Sequence, residues 1–517
     1  MAECPGLREA SAAGSISVED MRAAEINSVW LGLDLDLLME NAGRAVADAI
    51  ECVLGGLEGV SVTILAGKGG NGGDGITAAR HLAERGAKVE VHLSHPPELI
   101  THGSTRRNLK VLLASGYAKL VKPWSRGWGD TSGADVVVDA LLGIGVRGSL
   151  REPILSLARA FTSHQGLRVS IDTPTGVDPD TGYVAEGAVV ADVTVTLYKV
   201  KKGLLQGKAP MHTGRLLVAP IGIPRQASEL AGPGDAYARI PVRPRDAHKG
   251  MGGRVLVIGG SRDFVGAPIL AALGAAAGGA DLVYLASTGM IPYWGAQRSS
   301  TIIPVPLDGD YLNPSHVDKL LRHSERVHAV VVGPGLGSRD ETLEAARILV
   351  ERLAESGRVT VVDADALRAV AGLEGLGPHI VLTPHRGEAS RLLGDEAVEP
   401  RLAASRISRL TGATVLLKGP RDYICTEDTC RVNVTGAPSM SVGGTGDVLA
   451  GVVAGFAARR VALGRGHGMP HTAAAAAYIV GRAGELAASA VGENISAQDV
   501  VENIGRALAE ARSLAEG

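Results

Sequence analysis

The stretch Ser441-Val442-Gly443-Gly444-Thr445-Gly446-Asp447 runs directly into an apolar segment, residues 448–456. Small residues followed by one carboxylate and an apolar run predict a loop that opens a helix. Glycines let a backbone approach a ligand closely, and the free amides of a helix start attract anions. A carboxylate in this position also serves simply as a helix cap. Taken alone, the stretch therefore fits either a capped helix or an anion-binding site.

Composition narrows the class of protein. A chain of 517 residues is too long for one core, so two to four domains are expected. Hydrophobic content of 45% and charged content of 21% are typical of a globular protein. A net charge of −3 and 3% aromatic residues predict neither a nucleic-acid partner nor a membrane-surface partner.

Targeting signals and cysteines predict a cytoplasmic location. No apolar run reaches the roughly 18–20 residues that cross a bilayer, and no secretory signal is visible. The chain has four cysteines. Cys425 and Cys430 bracket a predicted hairpin tip where a disulfide is geometrically possible, but two free thiols are favoured unless the source is a thermophile.

Strand and helix patterns alternate in two blocks. Ser17 and Asp20 form a capping-box-like start for the first helix. In the first block, strands are predicted at 60–66, 88–93, 135–139, 168–172, 192–197 and 215–219, and helices at 18–29, 35–53, 75–85, 105–115 and 152–162. In the second, strands are predicted at 254–258, 282–286, 329–333, 359–363, 380–383, 414–418 and a hairpin at 423–434, and helices at 267–278, 340–355, 401–410, 447–462, 471–490 and 497–515.

A proline-rich, loop-like segment separates the blocks. We predict domains at residues 1–225 and 241–517, joined by a linker at 226–240. The βα alternation predicts an α/β fold, with two doubly wound parallel sheets covered by helices. Ligands in such sheets bind at the carboxyl ends of the strands, so the loops there are the candidate binding segments.

In the first block, three such loops carry polar residues. The loop Gly67-Lys68-Gly69-Gly70-Asn71-Gly72-Gly73-Asp74-Gly75 satisfies G-x-G-x-x-G, but its Asn and Asp do not suit a plain dinucleotide cradle. Asp139 and Asp172 end two further strands. Asn71, Asp139 and Thr175 would supply oxygen ligands for a hard cation, with Asp172 as an acid or base. Each residue alone is better explained as a cap, but the three loops together favour a site.

The loop at 67–75 is preceded by Leu38-Met39-Glu40-Asn41-Ala42-Gly43 and followed by DALLGIG and DTPTGVD. Together, these motifs resemble the epimerase domain of NAD(P)H-hydrate repair enzymes. The resemblance implies a Rossmann-like three-layer domain that interconverts the R and S hydrates of NADH and NADPH at C6. It implies a potassium ion held by Asn71, Asp139 and Thr175, with Asp172 catalytic. The implied substrate contacts are Gly70, Asn71, Gly72, Gly73, Asp74, Gly143, Ile144, Gly145, Val146, Arg147, Gly148, Ser149 and Asp172. Gly70 departs from the family's usual Asn, and Thr175 replaces its usual Ser.

In the second block, several polar or glycine-rich loops follow buried strands: GPGLG at 333–337, DADAL at 363–367, TPHRGE at 383–388 and Lys418-Gly419. Together with GTGD they are typical of a ribokinase-like nucleotide site. There the amides of Gly444–Gly446 would stabilise a transferring phosphoryl group, and Asp447 would accept the proton of the attacking hydroxyl.

The same motifs, with HKGMGGRVLVIGGS at 248–261, are similar to the dehydratase domain of the same family. The similarity implies that the S hydrate is phosphorylated by ADP or ATP, with magnesium, and then loses phosphate. Asp447 is implied as catalytic, and the implied hydrate contacts are Ala267, Gly335, His385 and Asp447. The implied nucleotide contacts are Lys418, Gly419, Pro420, Arg421, Asp422, Ala437, Pro438, Ser439, Met440, Ser441, Val442, Gly443, Gly444, Thr445 and Gly446.

We therefore predict a bifunctional metabolite-repair enzyme acting on small molecules, in a homo-oligomer. Two alternatives remain at this stage. The second half could be a ribokinase-like small-molecule kinase, and the first half a non-catalytic binding or dimerisation module. His385 also fits a histidine that merely ends a strand in a polar loop.

Overall fold

The computed structural model describes residues 4–10, 14–145 and 148–516. The chain divides into two compact units, Met1–Pro224 and Arg225–Gly517. Both units contain a sheet flanked by helices, which confirms the predicted α/β fold class. No helix within the described ranges combines the length and the apolarity needed to cross a membrane.

The first unit contains one large sheet and a small two-stranded sheet. Its described strands are β1 (Arg8–Glu9), β2 (Ser15–Ile16), β3 (Ser61–Ala66), β4 (Lys88–Leu93), β5 (Ala118–Val121), β6 (Val136–Ala140), β7 (Leu167–Ile171), β8 (Val193–Leu197), β9 (Val200–Lys201) and β10 (Arg215–Ala219). Its described helices are α1 (Val18–Trp30), α2 (Leu35–Leu54), α3 (Gly70–Glu84), α4 (Gly103–Ser115), α5 (Ile154–Ser163) and α6 (Pro210–Thr213).

The large sheet has the order β1-β10-β8-β7-β6-β3-β4-β5. All pairs are parallel except the antiparallel pair of β1 and β10. The central strand β6 is fully buried because helices cover both faces of the sheet, and its Val137 packs with Leu157 and Phe161 of α5. β2 and β9 form the separate parallel pair.

The second unit is built on a sheet of the order β13-β12-β11-β14-β15-β16-β17-β18-β19. Its strands are β11 (Arg254–Ile258), β12 (Leu282–Thr288), β13 (Ile302–Leu307), β14 (Ala329–Val332), β15 (Val359–Val362), β16 (Ile380–Leu382), β17 (Thr414–Leu417), β18 (Asp422–Cys425) and β19 (Cys430–Asn433). Its helices are α7 (Gln226–Glu229), α8 (Pro233–Arg239), α9 (Gly266–Ala277), α10 (Ile291–Arg298), α11 (Val317–Ser324), α12 (Asp340–Glu355), α13 (Ala366–Ala369), α14 (Arg386–Leu393), α15 (Pro400–Thr411), α16 (Thr445–Ala462), α17 (His471–Val491) and α18 (Ala497–Glu516). The strands run parallel from β13 to β17, and the pairs β17–β18 and β18–β19 are antiparallel.

Strand order reverses at one central point in each sheet, between β3 and β6 and between β11 and β14. The loops that leave these strands touch at both points. A Cβ on Gly67 would lie 1.9 Å from the carbonyl oxygen of Leu141, and one on Gly259 would lie 2.4 Å from that of Pro334. Only a residue without a side chain fits such an approach, so glycine is required at both crevices where ligands of α/β sheets bind.

Helices α9 and α16 pack closely through small residues. A Cβ on Gly451 would lie 2.0 Å from the carbonyl oxygen of Ala271, and one on Gly455 would lie 2.6 Å from that of Ala275. Because the paired positions increase together along both helices, α9 and α16 run in the same direction. Their N-terminal ends, and likewise their C-terminal ends, therefore lie together.

Two features differ from the sequence-based expectations. Helix α3 begins at Gly70, five positions before the predicted start, because its glycines pack against the loop after β3: a Cβ on Gly72 would lie 1.9 Å from the carbonyl oxygen of Gly67. The segment 226–240, predicted as a linker, contains α7 and α8 within the second unit. It is held there by a bidentate ion pair between the buried Asp235 and Arg431 of β19.

The cysteines are paired in the structure. Cys425 is joined to Cys430 across the β18–β19 hairpin, with a Cα–Cα distance of 4.1 Å, so the expectation of two free thiols is wrong. The strands bring the two residues directly opposite one another, which is the arrangement that a cross-strand bridge needs. A second disulfide joins Cys4 to Cys52 of α2.

Candidate active sites

In the first unit, the carboxylate of Asp139 organises the end of β6. It accepts hydrogen bonds from the hydroxyl of Thr175 at 2.7 Å and from the backbone N–H of Thr175 at 2.8 Å. Ser170 donates to it at 3.0 Å, and Asp139 is fully buried. Burial raises the pKa of Asp139, and these hydrogen bonds oppose the rise. Two of the three predicted cation ligands are thus in direct contact.

The third predicted ligand, Asn71, lies beside the loop that follows β6. A Cβ on Gly143 would lie 3.5 Å from Asn71 Oδ1, and Leu142 of the same loop donates its N–H to the Thr175 hydroxyl at 3.0 Å. The amide oxygen and nitrogen of Asn71 are both buried, and neither has a hydrogen-bond partner among the described residues. Buried polar atoms are rarely left unpaired, so the Asn71 oxygen is available to a ligand.

Asp172 follows β7 with a positive φ of 64°, a strained backbone conformation that recurs at functional sites. Its Oδ1 accepts hydrogen bonds from the N–H of Leu197 at 3.0 Å and from the ammonium group of Lys201. Lys201 is completely buried. Its ammonium also donates to the carbonyl of Leu197 at 2.8 Å and to Thr196 at 3.3 Å, so its position is fixed by three oxygen acceptors.

Two further carboxyl groups share the electrostatic environment of Asp172. Burial and the charge of Asp172 raise the pKa of Glu25, on α1, to about 7, against the opposing effects of Lys201 and Arg22. Burial, Asp172 and Glu25 raise the pKa of Asp74 well above its usual value. The site therefore contains acids that keep a proton near neutral pH beside a buried ion pair.

The remaining predicted substrate contacts of this unit lie on two segments. Gly70, Asn71, Gly72, Gly73 and Asp74 form the first turns of α3, where free N–H groups point outward. Gly143, Ile144, Gly145, Gly148 and Ser149 belong to the loop after β6. Val146 and Arg147 lie outside the described residues.

In the second unit, α16 begins at Thr445, and Gly444 caps it with a φ of 98°, which explains a glycine at this position. Asp447 is the third residue of the helix. Lys418, at the end of β17, reaches this helix start: its Nζ lies 3.1 Å from the position of a Cβ on Gly446. The structure therefore brings the helix start, a cation and a carboxylate to one place.

Lys418 is held by a carboxylate that sequence reasoning did not select. Asp363, the residue after β15, accepts from Lys418 Nζ at 2.7 Å and from the hydroxyl of Thr383 at 2.8 Å, and is buried. Burial and the negative charge of Asp363 raise the pKa of Asp447 to about 7, while Lys418 acts in the opposite direction. Asp447 is thereby suited to accept a proton near neutral pH.

The other strand-end loops connect to this centre. Asp365 accepts from the N–H of Gly337 at 2.8 Å, which links the DADAL and GPGLG loops. Ala267 of α9 lies beside Gly335, its Cβ 3.4 Å from a Cβ placed there. His385 caps α14: its Nδ1 accepts from the N–H of Gly387 at 3.0 Å. His385 also forms a β-bridge with Lys418, so it has a structural role in addition to the predicted substrate contact.

The predicted nucleotide contacts lie on two segments. One is the turn from β17 into β18, where Asp422 accepts from the N–H of Gly419 at 3.0 Å; burial raises the pKa of Asp422. It carries Lys418, Gly419, Pro420, Arg421 and Asp422. The other leads into α16 through a short 3-10 helix, Pro438–Met440, and Thr445 donates to the carbonyl of Met440 at 3.1 Å. It carries Ala437, Pro438, Ser439, Met440, Ser441, Val442, Gly443, Gly444, Thr445 and Gly446.

Three residues of these sites were missed from the sequence. Lys201 lies on β9, a strand of two residues without detectable periodicity, and Glu25 lies inside α1 without any motif. Asp363 could have been selected from the sequence, because it ends a predicted strand in the same way as Asp139 and Asp172 do.

These features define a class of protein with two α/β units, each with polar residues at the carboxyl ends of its strands, and with a glycine-rich helix start in the second unit. Two family models match the chain, one described as NAD(P)H-hydrate dehydratase over residues 255–506 and one as YjeF-related protein N-terminus over residues 35–203. A bifunctional NAD(P)H-hydrate repair enzyme of Hyperthermus butylicus is 41% identical over 96% of this chain and 92% of its own length. One of Pyrobaculum aerophilum is 41% identical over 96% of this chain and 98% of its own length.

The chain belongs to the family of bifunctional NAD(P)H-hydrate repair enzymes. The match extends over both units, so the alternative of a small-molecule kinase fused to a non-catalytic module is not favoured. Among solved structures, an ADP/ATP-dependent NAD(P)H-hydrate dehydratase of Bacillus subtilis, co-crystallised with ATP and Mg²⁺, is 23% identical with a TM-score of 0.46, covering 55% of this chain and 98% of that one.

Proposed function

We propose that this chain epimerises the hydrates of NADH and NADPH with its first unit and dehydrates the S hydrate with its second. The observation that carries the proposal is that each unit has its own cluster of a carboxylate and a lysine, Asp172 with Lys201 and Asp447 near Lys418, so two separate centres are available for proton transfer. Hydration of the nicotinamide ring gives both epimers. An enzyme that dehydrates one of them gains from a second site that supplies it.

The epimerisation requires the C6–O bond to break and to form again on the opposite face of the ring. The carboxylate of Asp172, paired with Lys201, would pass a proton from Glu25 to the departing hydroxyl and take one from the water that returns. Lys201 would hold Asp172 in place, since its ammonium group bonds Oδ1 directly. Glu25, with a pKa of about 7, would serve as the proton store beside Asp172.

A potassium ion fits the first unit as the resemblance implies. Asn71 offers a buried oxygen without a partner, and Asp139 and Thr175 add a carboxylate and a hydroxyl, which is the oxygen set that a hard cation prefers. When bound, the ion would supply positive charge that orders the loop after β6. Removal of potassium should therefore weaken hydrate binding.

The dehydration would use ADP or ATP as co-substrate, accompanied by Mg²⁺. Asp447 would remove the proton of the C6 hydroxyl, which attacks the terminal phosphorus and releases AMP or ADP. The phosphate group then leaves C6 with the C–O bond electrons, a ring proton is lost, and NAD(P)H forms. Lys418 and the N–H groups of Gly444–Gly446 would stabilise charge on the transferring group.

One assay tests both halves. Mixed R and S hydrates are incubated with ADP or with ATP, and nicotinamide absorbance is followed together with phosphate release. Complete conversion, with one phosphate per NAD(P)H, is the expected result. A stable phosphorylated product without NAD(P)H would contradict the dehydratase activity. R hydrate that is consumed no faster than by spontaneous epimerisation would contradict the epimerase activity. A cytoplasmic location and a homo-oligomer stay predictions, and the latter is checked by light scattering.

A further inference from the structure

The C-terminal ends of α9 and α16 carry a group of arginines remote from Asp447. Arg459 lies in the last turn of α16, twelve positions after Asp447, or about 18 Å along the helix axis. It is only 7% exposed. Its Nη1 lies 3.4 Å from the position of a Cβ on Gly279, just beyond the end of α9. The side chain of Arg459 therefore lies largely buried where the two helices end.

No acceptor among the described residues pairs with Arg459 Nε, although this atom is buried. Two further guanidinium groups lie nearby. Arg243 donates to the carbonyl of Gly279 at 2.8 Å, and Arg512 of α18 has a buried Nη2 that also lacks a partner within the described chain. Burial, followed by the charges of Arg512 and Arg243, lowers the pKa of Arg459 to about 10. The three cations thus repel one another in a partly buried space.

Among the described side chains, Asp281 is the carboxylate that acts on Arg459. Its Oδ1 pairs with Arg243 at 2.7 Å, and its Oδ2 accepts from the N–H groups of Gly250 at 2.8 Å and Gly252 at 2.7 Å. Within the described side chains, therefore, one carboxylate that is already bonded on both oxygens faces three guanidinium groups.

The C-terminal ends of the two helices stabilise the charge of Arg459 only in part. The C-terminal end of a helix attracts a cation only weakly. Burying a guanidinium nitrogen without an acceptor costs more than this attraction returns, so a helix end alone leaves the Nε of Arg459 unfavourably placed. A bound anion with several oxygens removes this deficit, because guanidinium groups match oxyanions with paired hydrogen bonds.

We propose that Arg459, Arg512 and Arg243 form a second anion site, which binds a phosphate group. Arg459 supplies the enclosed base of the site. Arg243, whose side chain is 46% exposed, lies on its solvent side. The site is at the opposite end of α16 from Asp447, so its occupant is not the phosphate that reacts. Free inorganic phosphate and the phosphate of a nucleotide share this chemistry.

The test titrates inorganic phosphate into the full chain, with the nucleotide site filled by ADP, and measures binding by calorimetry and the melting temperature by fluorimetry. The variants are Arg459→Met and Arg512→Met. Arg409→Met, which removes an exposed arginine of α15, is the matched control. We expect phosphate affinity to fall about tenfold or more in both variants and to stay unchanged in the control.

The binding data distinguish free phosphate from a nucleotide, and the direction of the change in melting temperature tests the charge argument. If the variants lose affinity for inorganic phosphate, the occupant is free phosphate. If they lose only the binding of a second equivalent of ADP, the occupant is a nucleotide. In phosphate-free buffer, Arg459→Met should melt at a higher temperature than the parent chain, because it removes an unpaired buried charge.

The proposal is overturned if phosphate stabilises Arg459→Met as much as the parent chain, or if the variant is less stable both with and without phosphate. If Arg459→Met does not fold, the parent chain decides: the site is overturned if the parent chain binds neither inorganic phosphate nor a second equivalent of ADP. ADP affinity at the first site should be equal in every variant, which separates this result from a failure of the proposed function.

Discussion

Each unit places a lysine beside a carboxylate in its candidate site, but the lysine has a different partner in the two units. In the first unit, Lys201 contacts the candidate catalytic carboxylate, Asp172, itself. In the second, Lys418 pairs with the neighbouring Asp363, and Asp447 is left with a pKa of about 7. In the proposed mechanism, the first arrangement would hold a carboxylate in position, and the second would prepare one to accept a proton. The same pair of residue types would thus serve positioning in one site and pKa adjustment in the other.

The largest effect is expected at Asp447. Asp447→Ala should lower nucleotide-dependent dehydration about 10³-fold, because it removes the proton acceptor, and should leave epimerisation unchanged. Phosphate release and the loss of each hydrate epimer are measured on the same sample. Asp447→Asn keeps the shape and removes the charge, so it should be equally inactive. Dehydration at the parent rate in either variant would refute the role of Asp447.

Lys201→Met should lower epimerisation about 10²-fold, since Asp172 loses its positioning partner, while dehydration of pure S hydrate continues. Lys202→Met, at an exposed adjacent position, is the matched control and should have no effect. With Asp172→Ala, repair of mixed hydrates should stop once the S hydrate has been consumed, and the R hydrate should remain. Combining Asp172→Ala with Lys201→Met should cost little beyond Asp172→Ala alone. Additive losses would show that Lys201 acts independently.

The disulfides should separate the stabilities of the two units. Cys4–Cys52 spans 48 positions and Cys425–Cys430 spans 5, so loop-closure entropy predicts a difference of about 2 kcal/mol in their stabilising effects. Replacing Cys4 and Cys52 by Ser should therefore destabilise the first unit more than replacing Cys425 and Cys430 destabilises the second. Denaturant unfolding of both variants, with the reduced parent chain as reference, measures this. Equal losses would contradict the entropic account.

The smallest effect concerns pH. Because Asp447 acts when deprotonated, the dehydration rate should rise with pH through about 7. Asp363→Asn removes the negative charge that raises the pKa of Asp447 and frees Lys418 to stabilise the carboxylate. Both changes favour deprotonation, so the midpoint of the pH profile should move to lower pH by about one unit or less. A midpoint that stays in place would show that another group controls the profile.

Local patterns predicted much of this molecule. The N-cap of Ser17, the strand ends that carry Asp139 and Asp172, and the helix that starts beside Asp447 all follow from sequence signals within a few residues. The contact between Asp139 and Thr175 followed from the rule that parallel strands end at one edge.

The features that escaped prediction depend on contacts distant in sequence. The pair Asp235–Arg431 joins positions 196 residues apart and holds a segment that, by its prolines and glycines, resembled a linker. Lys201 is positioned by β9, which exists only because it pairs with β2. The early start of α3 contradicts the low helix propensity of glycine, because close packing against Gly67 outweighs that preference.

The disulfide between Cys4 and Cys52 has a consequence for association between molecules. It ties the start of the chain to α2, next to β1, a strand of two residues that pairs with β10 and carries the Glu9–Arg215 ion pair. Without β1, the hydrogen-bonding edge of β10 would be open to a strand from another molecule. Reduction of this disulfide should thus promote edge-to-edge aggregation on heating, even where each unit still folds.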